Sequence, residues 1–193
     1  MKYLKMLGIA AVAAMALTAF AASSSGATTL EVGGVPKNEK VEITASLKSG
    51  TSTTLSRTDG SLANTCTASH LSGSTESPFT GTRVTGPVSS LSFSSCDRPV
   101  TVDKAGKLYV EHIAGTTNGT VFSEEAEVTV GSIFGTLTCR TFEGTDIGTL
   151  TGGKEGHATL HIDAVLNCGF AVPSATWKGT YTVTSPTGLG VTE

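Results

Sequence analysis

Three residues near the C-terminal end, His157, His161 and Asp163, are of the types that bind metal ions. On a helix the two imidazoles would lie one turn apart and could bind one ion together. The residues around them alternate between apolar and polar, which is typical of a strand. Four strand residues span about 13 Å, too far for both rings to reach one ion. We therefore predict a solvated strand face; a site at His161 and Asp163 would need further ligands from elsewhere in the chain.

Trp177 and Tyr181 are the second group that could do chemistry, because two aromatic rings can stack on the apolar face of a sugar. The alternative, which we favour, is that both rings fill the core and that Gly179 between them makes room for a neighbour. Glycoside hydrolysis would in addition need two carboxylates facing each other across a cleft. Glu143, Asp146 and Asp163 could supply such a pair only if the fold brought them together.

Motifs of known catalytic mechanism are missing from the sequence. There is no GxSxG nucleophile elbow, P-loop, GxGxxG turn or EF-hand loop. Serine is so abundant that no single one stands out as a nucleophile. We therefore predict no catalytic residue, no bound cofactor and no enzymatic activity.

Four cysteines indicate two disulfides if the protein is exported. Three pairings are open, but Cys66 and Cys96 are 30 positions apart, Cys139 and Cys168 are 29 apart, and a threonine precedes the first of each pair. This similarity favours Cys66–Cys96 and Cys139–Cys168 and suggests a duplication with half-repeats at about 62–110 and 135–184. No pair has the CxxC spacing of a zinc knuckle or a redox-active site.

The first 27 residues have the composition of a secretory signal peptide. Lys2 and Lys5 precede an apolar run, and Ser25 and Ala27 are small residues at the −3 and −1 positions of a cleavage site. No cysteine follows the run, which argues against a lipid anchor. We therefore predict export, to the extracellular space or the cell envelope, of a single domain covering residues 28–193.

The composition excludes several classes of protein. Only 15% of the residues are charged, against about 25% in an average protein, whereas serine and threonine together number 53. The leader holds two of the 13 basic residues and none of the 16 acidic ones, so that the mature charge is about −5. This charge argues against nucleic-acid binding, and so few charges with 38% hydrophobic residues argue against disorder.

The elements that must position these residues are strands. Apolar and polar residues alternate over Val41–Lys48 and over Ala158–Leu166, and we find no helical period after the leader. Val100–Val102 and Leu108–Val110 flank a turn sequence and predict a hairpin, whereas Ser49–Ser61 is the most loop-like stretch. We predict an all-β antiparallel domain, either a sandwich or a barrel.

Several stretches resemble a family of small, uncharacterised proteins secreted by actinobacteria. Among them are Asn64-Thr-Cys-Thr67, Gly144-Thr-Asp-Ile-Gly-Thr-Leu-Thr-Gly152, Ala164-Val-Leu-Asn-Cys-Gly169 and Gly179-Thr-Tyr-Thr-Val-Thr-Ser-Pro186. The resemblance implies secretion and a β-rich domain, with no activity and no functional residue to carry over. A more distant similarity, in paired cysteines and Ser/Thr/Gly-rich strands, is to secreted activators of alkane oxidation.

Together these features predict an exported, non-catalytic β domain at or outside the cell surface, with a structural, adhesive or ligand-binding role. The alternatives are a carbohydrate-binding module or small glycoside-active enzyme, and a surface-active accessory protein for hydrophobic substrates. We expect no nucleic-acid partner and no membrane association after removal of the leader. A cell-surface polymer or a second copy of the chain is the partner that this location suggests.

Overall fold

The structure, a computed structural model, describes residues 26–57, 64–77, 81–132, 135–169 and 172–193. Most of the leader lies outside these residues, and so does the signal-peptide prediction. In chain order the strands are β1 (Thr29–Val32), β2 (Val35–Lys37), β3 (Glu42–Leu47), β4 (Thr53–Arg57), β5 (Asn64–Ser74), β6 (Val84–Cys96), β7 (Val100–Lys104), β8 (Lys107–His112), β9 (Gly119–Glu124), β10 (Glu127–Ser132), β11 (Gly135–Arg140), β12 (Thr145–Thr151), β13 (Thr159–Asn167), β14 (Ser174–Ser185) and β15 (Leu189–Thr192).

Eight strands close into an antiparallel barrel in the order β3–β5–β6–β8–β9–β12–β13–β14, and β14 pairs again with β3. The all-β antiparallel prediction is confirmed, and the structure is a barrel rather than a sandwich. Closure removes the open edges that a sheet of this length would otherwise expose.

The alternating pattern of β13 shows how the sequence builds the barrel wall. Leu160, Ile162, Ala164 and Leu166 are buried, whereas the residues between them are exposed. Side chains of successive strand residues point to opposite faces, so the apolar set faces the interior and the polar set faces solvent. Val165 breaks the pattern, with 59% of its surface exposed on the outer face.

Two strands, β3 and β4, pair with different parts of β14 in the barrel wall. β3 pairs with the Tyr181–Ser185 part of β14, and β4 pairs with the Ala175–Lys178 part. The loop of residues 48–52 separates them. The prediction of a loop over Ser49–Ser61 is therefore wrong for residues 53–57, and residues 58–61 lie outside the described part. Thr53 explains the error, because it is a polar residue at an inward position, where its hydroxyl donates to the carbonyl of Lys178.

Two small sheets close the two ends of the barrel. The terminal sheet, in the order β15–β1–β2, brings the buried Leu30 and Leu189 against the barrel interior at one end, which we name the terminal end. The flap, in the order β7–β10–β11, lies at the opposite end, the flap end. Among the described residues, the flap joins the barrel ladder through one residue pair, Arg140 with Asn167.

The predicted hairpin between Val100–Val102 and Leu108–Val110 is wrong. β7 pairs with β10 in the flap, whereas β8 pairs with β6 and β9 in the barrel wall. Gly106 carries the chain between the two sheets at φ +71°, and a Cβ there would collide with the carbonyl oxygen of Glu124. The sequence between β7 and β8 therefore marks a connection from the flap to the barrel wall, and not the turn of a hairpin.

Both disulfides form in the pairing that the spacing favours. Cys66–Cys96 joins directly paired residues of β5 and β6, and Cys139–Cys168 joins β11 of the flap to the residue that follows β13. The prediction of two disulfides is confirmed. The two bridges have different surroundings, one inside a long strand pair and the other between the flap and the barrel, and the duplication stays a prediction.

Candidate ligand cavity

The residues considered for a metal site each have a separate partner. His161 lies on the outer face of β13, 3.3 Å from the hydroxyl of Thr180. Asp163 pairs with Lys178 at 3.1 Å. His157 precedes the strand, and its ring Nδ1 lies 2.8 Å from the carbonyl oxygen of Val183. In the described ranges, no three His, Cys, Asp or Glu side chains lie close enough together to hold a metal ion.

The carboxylates considered for glycoside chemistry also have local partners. Asp146 accepts a hydrogen bond from the backbone N–H of Gly148 at 2.9 Å, and Asp163 has its ion pair on the outer wall. Glu143 is exposed in the turn between β11 and β12. None of the three lines the barrel interior.

Trp177 and Tyr181 lie on the inner wall of the barrel. Tyr181 is 2% exposed, and its ring meets that of Trp177 edge to face at a centroid distance of 6.5 Å. Phe93 from β6 meets Trp177 in the same manner at 6.0 Å. The three rings form one edge-to-face cluster, which faces inward and is not a platform on the outer surface.

The polar atoms of these rings are fully satisfied inside the barrel. Trp177 Nε1 donates to Thr53 Oγ1 at 2.8 Å, and the Tyr181 hydroxyl donates to Ser69 Oγ at 3.1 Å. Ser69 in turn donates to the carbonyl of Ser92. Burial raises the pKa of Tyr181 above its ordinary value of 10.0, and the hydrogen bonds with Ser69, Thr53 and Trp177 oppose that rise. Among the described residues, no buried side-chain N or O lacks a partner.

Three apolar voids follow one another inside the barrel. The void at the terminal end has a volume of about 100 Å³, the middle void about 20 Å³ and the flap-end void about 40 Å³. The terminal and middle voids share Leu71, Val88, Leu108 and Leu160 in their walls. The middle and flap-end voids share Leu91, Ala126 and Trp177. Each void therefore shares part of its wall with the next.

The flap-end void approaches solvent between partly buried side chains. Leu55, Leu91, Phe93, Val128 and Trp177 line it and are only partly buried. β6 pairs with β8 only through Val84–Pro87, so that beyond Pro87 its outer edge has no strand partner in the described part of the chain. At the terminal end, Leu30 and Leu189 are 2% and 3% exposed, but Ile43, Leu108 and Val110 in the wall of the same void are only partly buried. Partly buried side chains therefore line the interior at both ends.

A larger but different pocket lies on the surface beside β1 and β2. It has a volume of about 280 Å³, and Thr28, Lys37 and Asn38 contribute to its wall. The ammonium group of Lys37 lies 3.6 Å from Glu39, outside any cluster of titratable groups. The pocket therefore brings together no set of groups that would identify a ligand, and the barrel interior is the better candidate despite its smaller volume.

The sequence analysis did not identify the void-lining residues as a site. Leu91 and Phe93 signalled a strand, and nothing in their spacing distinguishes a cavity wall from a filled core. The usable signal is small residues at inward strand positions. Ala45 lines the terminal void, where a side chain of ordinary core size would fill the space.

The fold and the interior define the class of protein: a closed, eight-stranded antiparallel barrel with capped ends and an apolar inner cavity. In the comparisons with known proteins, no family model, no curated protein and no solved structure matches the chain. Within the described ranges there is also no helix with the length and apolarity needed to cross a membrane.

Proposed function

We propose that the protein is an exported, non-catalytic barrel that binds an apolar small molecule in its interior. The observation that carries this proposal is the row of apolar voids in a barrel whose buried polar side chains already have partners. An eight-stranded barrel is wide enough either to be filled by side chains or to hold one small ligand. In the part of the chain that the structure describes, every buried side-chain N or O already has a hydrogen-bond partner, so an apolar ligand suits this interior better than a polar one.

The size of the terminal void supports a role in binding. Each Å³ of empty apolar cavity lowers stability by about 24 cal/mol, so that a void of about 100 Å³ corresponds to about 2 kcal/mol. That is a sizeable fraction of the stability of an ordinary domain. A ligand that filled the void would recover this free energy, which is the expected driving force for binding.

The disulfides support the location outside the cytoplasm. Both are formed, and such bonds persist in oxidising compartments but are rare in the cytosol. The inward position of Trp177 and Tyr181 gives no support to the carbohydrate-binding alternative, which needs rings on an open surface.

Binding is tested by titrating the purified protein with a neutral naphthylamine dye and with benzene. Trp177 is the single tryptophan of the chain and lines the flap-end void, so its emission reports occupancy directly. We expect a saturable change in emission, with a rise in melting temperature that increases with ligand concentration.

The matched variants are Leu91→Asn and Ser92→Asn. The first places an amide inside the voids, and the second places the same amide at an exposed position one residue away. We expect Leu91→Asn to weaken dye binding at least tenfold and Ser92→Asn to leave it unchanged. If neither ligand binds to the folded wild-type protein, or if the two variants bind equally well, the proposal is wrong.

A further inference from the structure

We infer that the terminal void binds a small neutral carbonyl compound, whose oxygen accepts a hydrogen bond from the hydroxyl of Thr75. This inference rests on the proposed function and adds to it the size of the ligand and its one polar atom. Thr75 is 5% exposed and lines the terminal void.

The side chain of Thr75 faces the barrel interior. Thr75 directly follows β5, and strand residues two positions apart share a face of the sheet. Leu71 belongs to that face and lines the terminal and middle voids. The pairing of β5 with β3 continues as far as Thr75, whose backbone N–H donates to the carbonyl of Val41 at 2.9 Å. The alternation of faces therefore extends to Thr75 and directs its side chain towards the void that it lines.

The hydroxyl of Thr75 accepts a hydrogen bond but donates none to the residues that the structure describes. Its Oγ1 accepts from the backbone N–H of Val41 at 2.9 Å. A threonine hydroxyl also carries one donor hydrogen, and within the described ranges no atom accepts this one. A buried donor without an acceptor is costly, so a molecule in the void that accepts this hydrogen gains affinity.

The inward hydroxyls beside the aromatic cluster show the opposite arrangement. Thr53 accepts from Trp177 and donates to the carbonyl of Lys178. Ser69 accepts from Tyr181 and donates to a backbone carbonyl as well. Both hydroxyls use their donor hydrogen within the fold and therefore offer none to a ligand, which distinguishes them from Thr75.

The buried pair of Ser123 and Thr141 also keeps a donor hydrogen, but it lines smaller voids. The two hydroxyls share one hydrogen bond of 3.1 Å, and Thr141 accepts another from the N–H of Ala126, so one of their two hydrogens has no acceptor among the described residues. The voids that they line, of about 20 and 40 Å³, are of the size of one water molecule. Only the terminal void combines an available donor with room for an organic ligand.

Water is a poor occupant of the terminal void. A buried water makes about three hydrogen bonds. Besides Thr75, the hydroxyl residues in this wall are Ser74 and Thr85. Both stand at the alternate strand positions, next to the inward Thr75 and Val84, so their side chains belong to the outer face. A molecule with one acceptor and an apolar remainder matches this wall better than water does.

The donor and the volume define the class of ligand. An alcohol would bring a donor hydrogen of its own, so that one of two hydroxyl hydrogens would still lack an acceptor, whereas a carbonyl oxygen only accepts. An engineered apolar cavity of about 150 Å³ binds benzene. On that scale the terminal void, of about 100 Å³, holds about four non-hydrogen atoms. Acetone has this size and a single acceptor oxygen.

The test compares acetone with 2-methylpropene, which has the same shape but a methylene group in place of the oxygen. Both are titrated into methyl-labelled protein, and the NMR signals of Leu30 and Val84 report occupancy of the terminal void. Thr75→Val keeps the shape of the side chain and removes the hydroxyl. We expect it to weaken acetone about fivefold relative to 2-methylpropene, the equivalent of a hydrogen bond of about 1 kcal/mol.

The matched variant is Thr75→Ser, which keeps the hydroxyl and loses a methyl group. We expect it to leave the ratio of the two dissociation constants as in the wild type. Should Thr75→Val fail to fold, acetone with a ¹³C-labelled carbonyl is titrated into the wild-type protein. We expect the signal of bound acetone downfield of its position in hexane, because a hydrogen bond draws electrons from the carbonyl carbon.

The outcomes separate the two proposals. An unchanged ratio in Thr75→Val, a bound acetone signal at its position in hexane, or binding of 2-methylpropene without acetone would overturn the role of Thr75 and leave the proposed function standing. Failure of acetone, 2-methylpropene, benzene and the dye to bind would overturn the proposed function itself.

Discussion

At the residue scale, the barrel interior depends on two hydrogen bonds that let large polar rings face an apolar space. Trp177 donates to Thr53, and Tyr181 donates to Ser69. Each acceptor hydroxyl donates onward to a backbone carbonyl. A buried donor without a partner costs about 1–3 kcal/mol, so the inward threonine and serine are what makes these rings compatible with the core.

The variant Thr53→Val tests this dependence. Valine has nearly the same shape but leaves the Trp177 N–H and the Lys178 carbonyl without their partner, so we expect a loss of about 1–3 kcal/mol in the free energy of unfolding. Denaturant titration measures it. Thr176→Val, on the outer face of β14, is the control and should change stability by less than about 0.5 kcal/mol. Equal effects of the two variants would contradict the role given to Thr53.

Tyr181 makes stability depend on pH in the alkaline range. Its pKa is raised in the folded state above 10.0 by burial, so above that pH the unfolded chain releases the proton while the folded protein keeps it. Stability is therefore fully present below pH 10 and falls as pH rises from there towards the folded-state pKa. We expect Tyr181→Phe to reduce this alkaline loss, as measured by urea unfolding at several pH values. An unchanged pH dependence in the variant would show that other groups cause it.

At the element scale, the two disulfides close loops of nearly the same length but hold different elements together. The loop-entropy model assigns each about 3.5 kcal/mol, because the sequence separations are 30 and 29. Cys66–Cys96 lies within a long strand pair that would hold its neighbours together without it. Cys139–Cys168 ties down a flap for which the described ranges show only one residue pair with the barrel ladder.

Removing each disulfide by a double Cys→Ala substitution should therefore give similar global and different local effects. For Cys139→Ala with Cys168→Ala we expect faster hydrogen exchange throughout β7, β10 and β11. For Cys66→Ala with Cys96→Ala we expect β5 and β6 to stay protected, because their ladder persists. Flap protection that is the same in both double variants would contradict the attachment of the flap through Cys139–Cys168.

Elements with a clear apolar alternation could be predicted from the sequence, and the others could not. β3 and β13 carry that alternation, since one face is buried and the other solvated. β4 was missed because its inward Thr53 is polar, and the partner of β7 was missed because a local turn signal does not say which distant strand lies alongside. For Trp177 and Tyr181 the sequence favoured a place in the core, but only closure of the barrel decides which face of β14 is the inside.

At the scale of the whole molecule, the neutral hydroxyl-rich composition becomes the outer surface of a barrel. Threonine and serine occupy outward positions on neighbouring strands, where Thr44 bonds Thr184 and Ser72 bonds Ser89. Threonine suits strands because it is β-branched. This explains how a chain with 15% charged residues can form a folded domain with a polar exterior.

The proposed export predicts a definite form of the protein outside the cell. We expect the intact mass of the protein from culture supernatant to equal that of residues 28–193 less four hydrogen atoms, one pair for each disulfide. Thiol titration after denaturation without reductant should find no free cysteine. Cell-bound protein of full length, or four free thiols, would contradict export in this form.

The pairing of β1 with β15 places Thr29 opposite Thr192, so the two ends of the described chain lie side by side. A short peptide linker could join these ends without crossing the barrel. New termini could then be opened in the turn of residues 48–52, where the chain already leaves the wall between β3 and β4. We therefore expect a circularly permuted protein that begins at Thr53 to form the same barrel with the same interior.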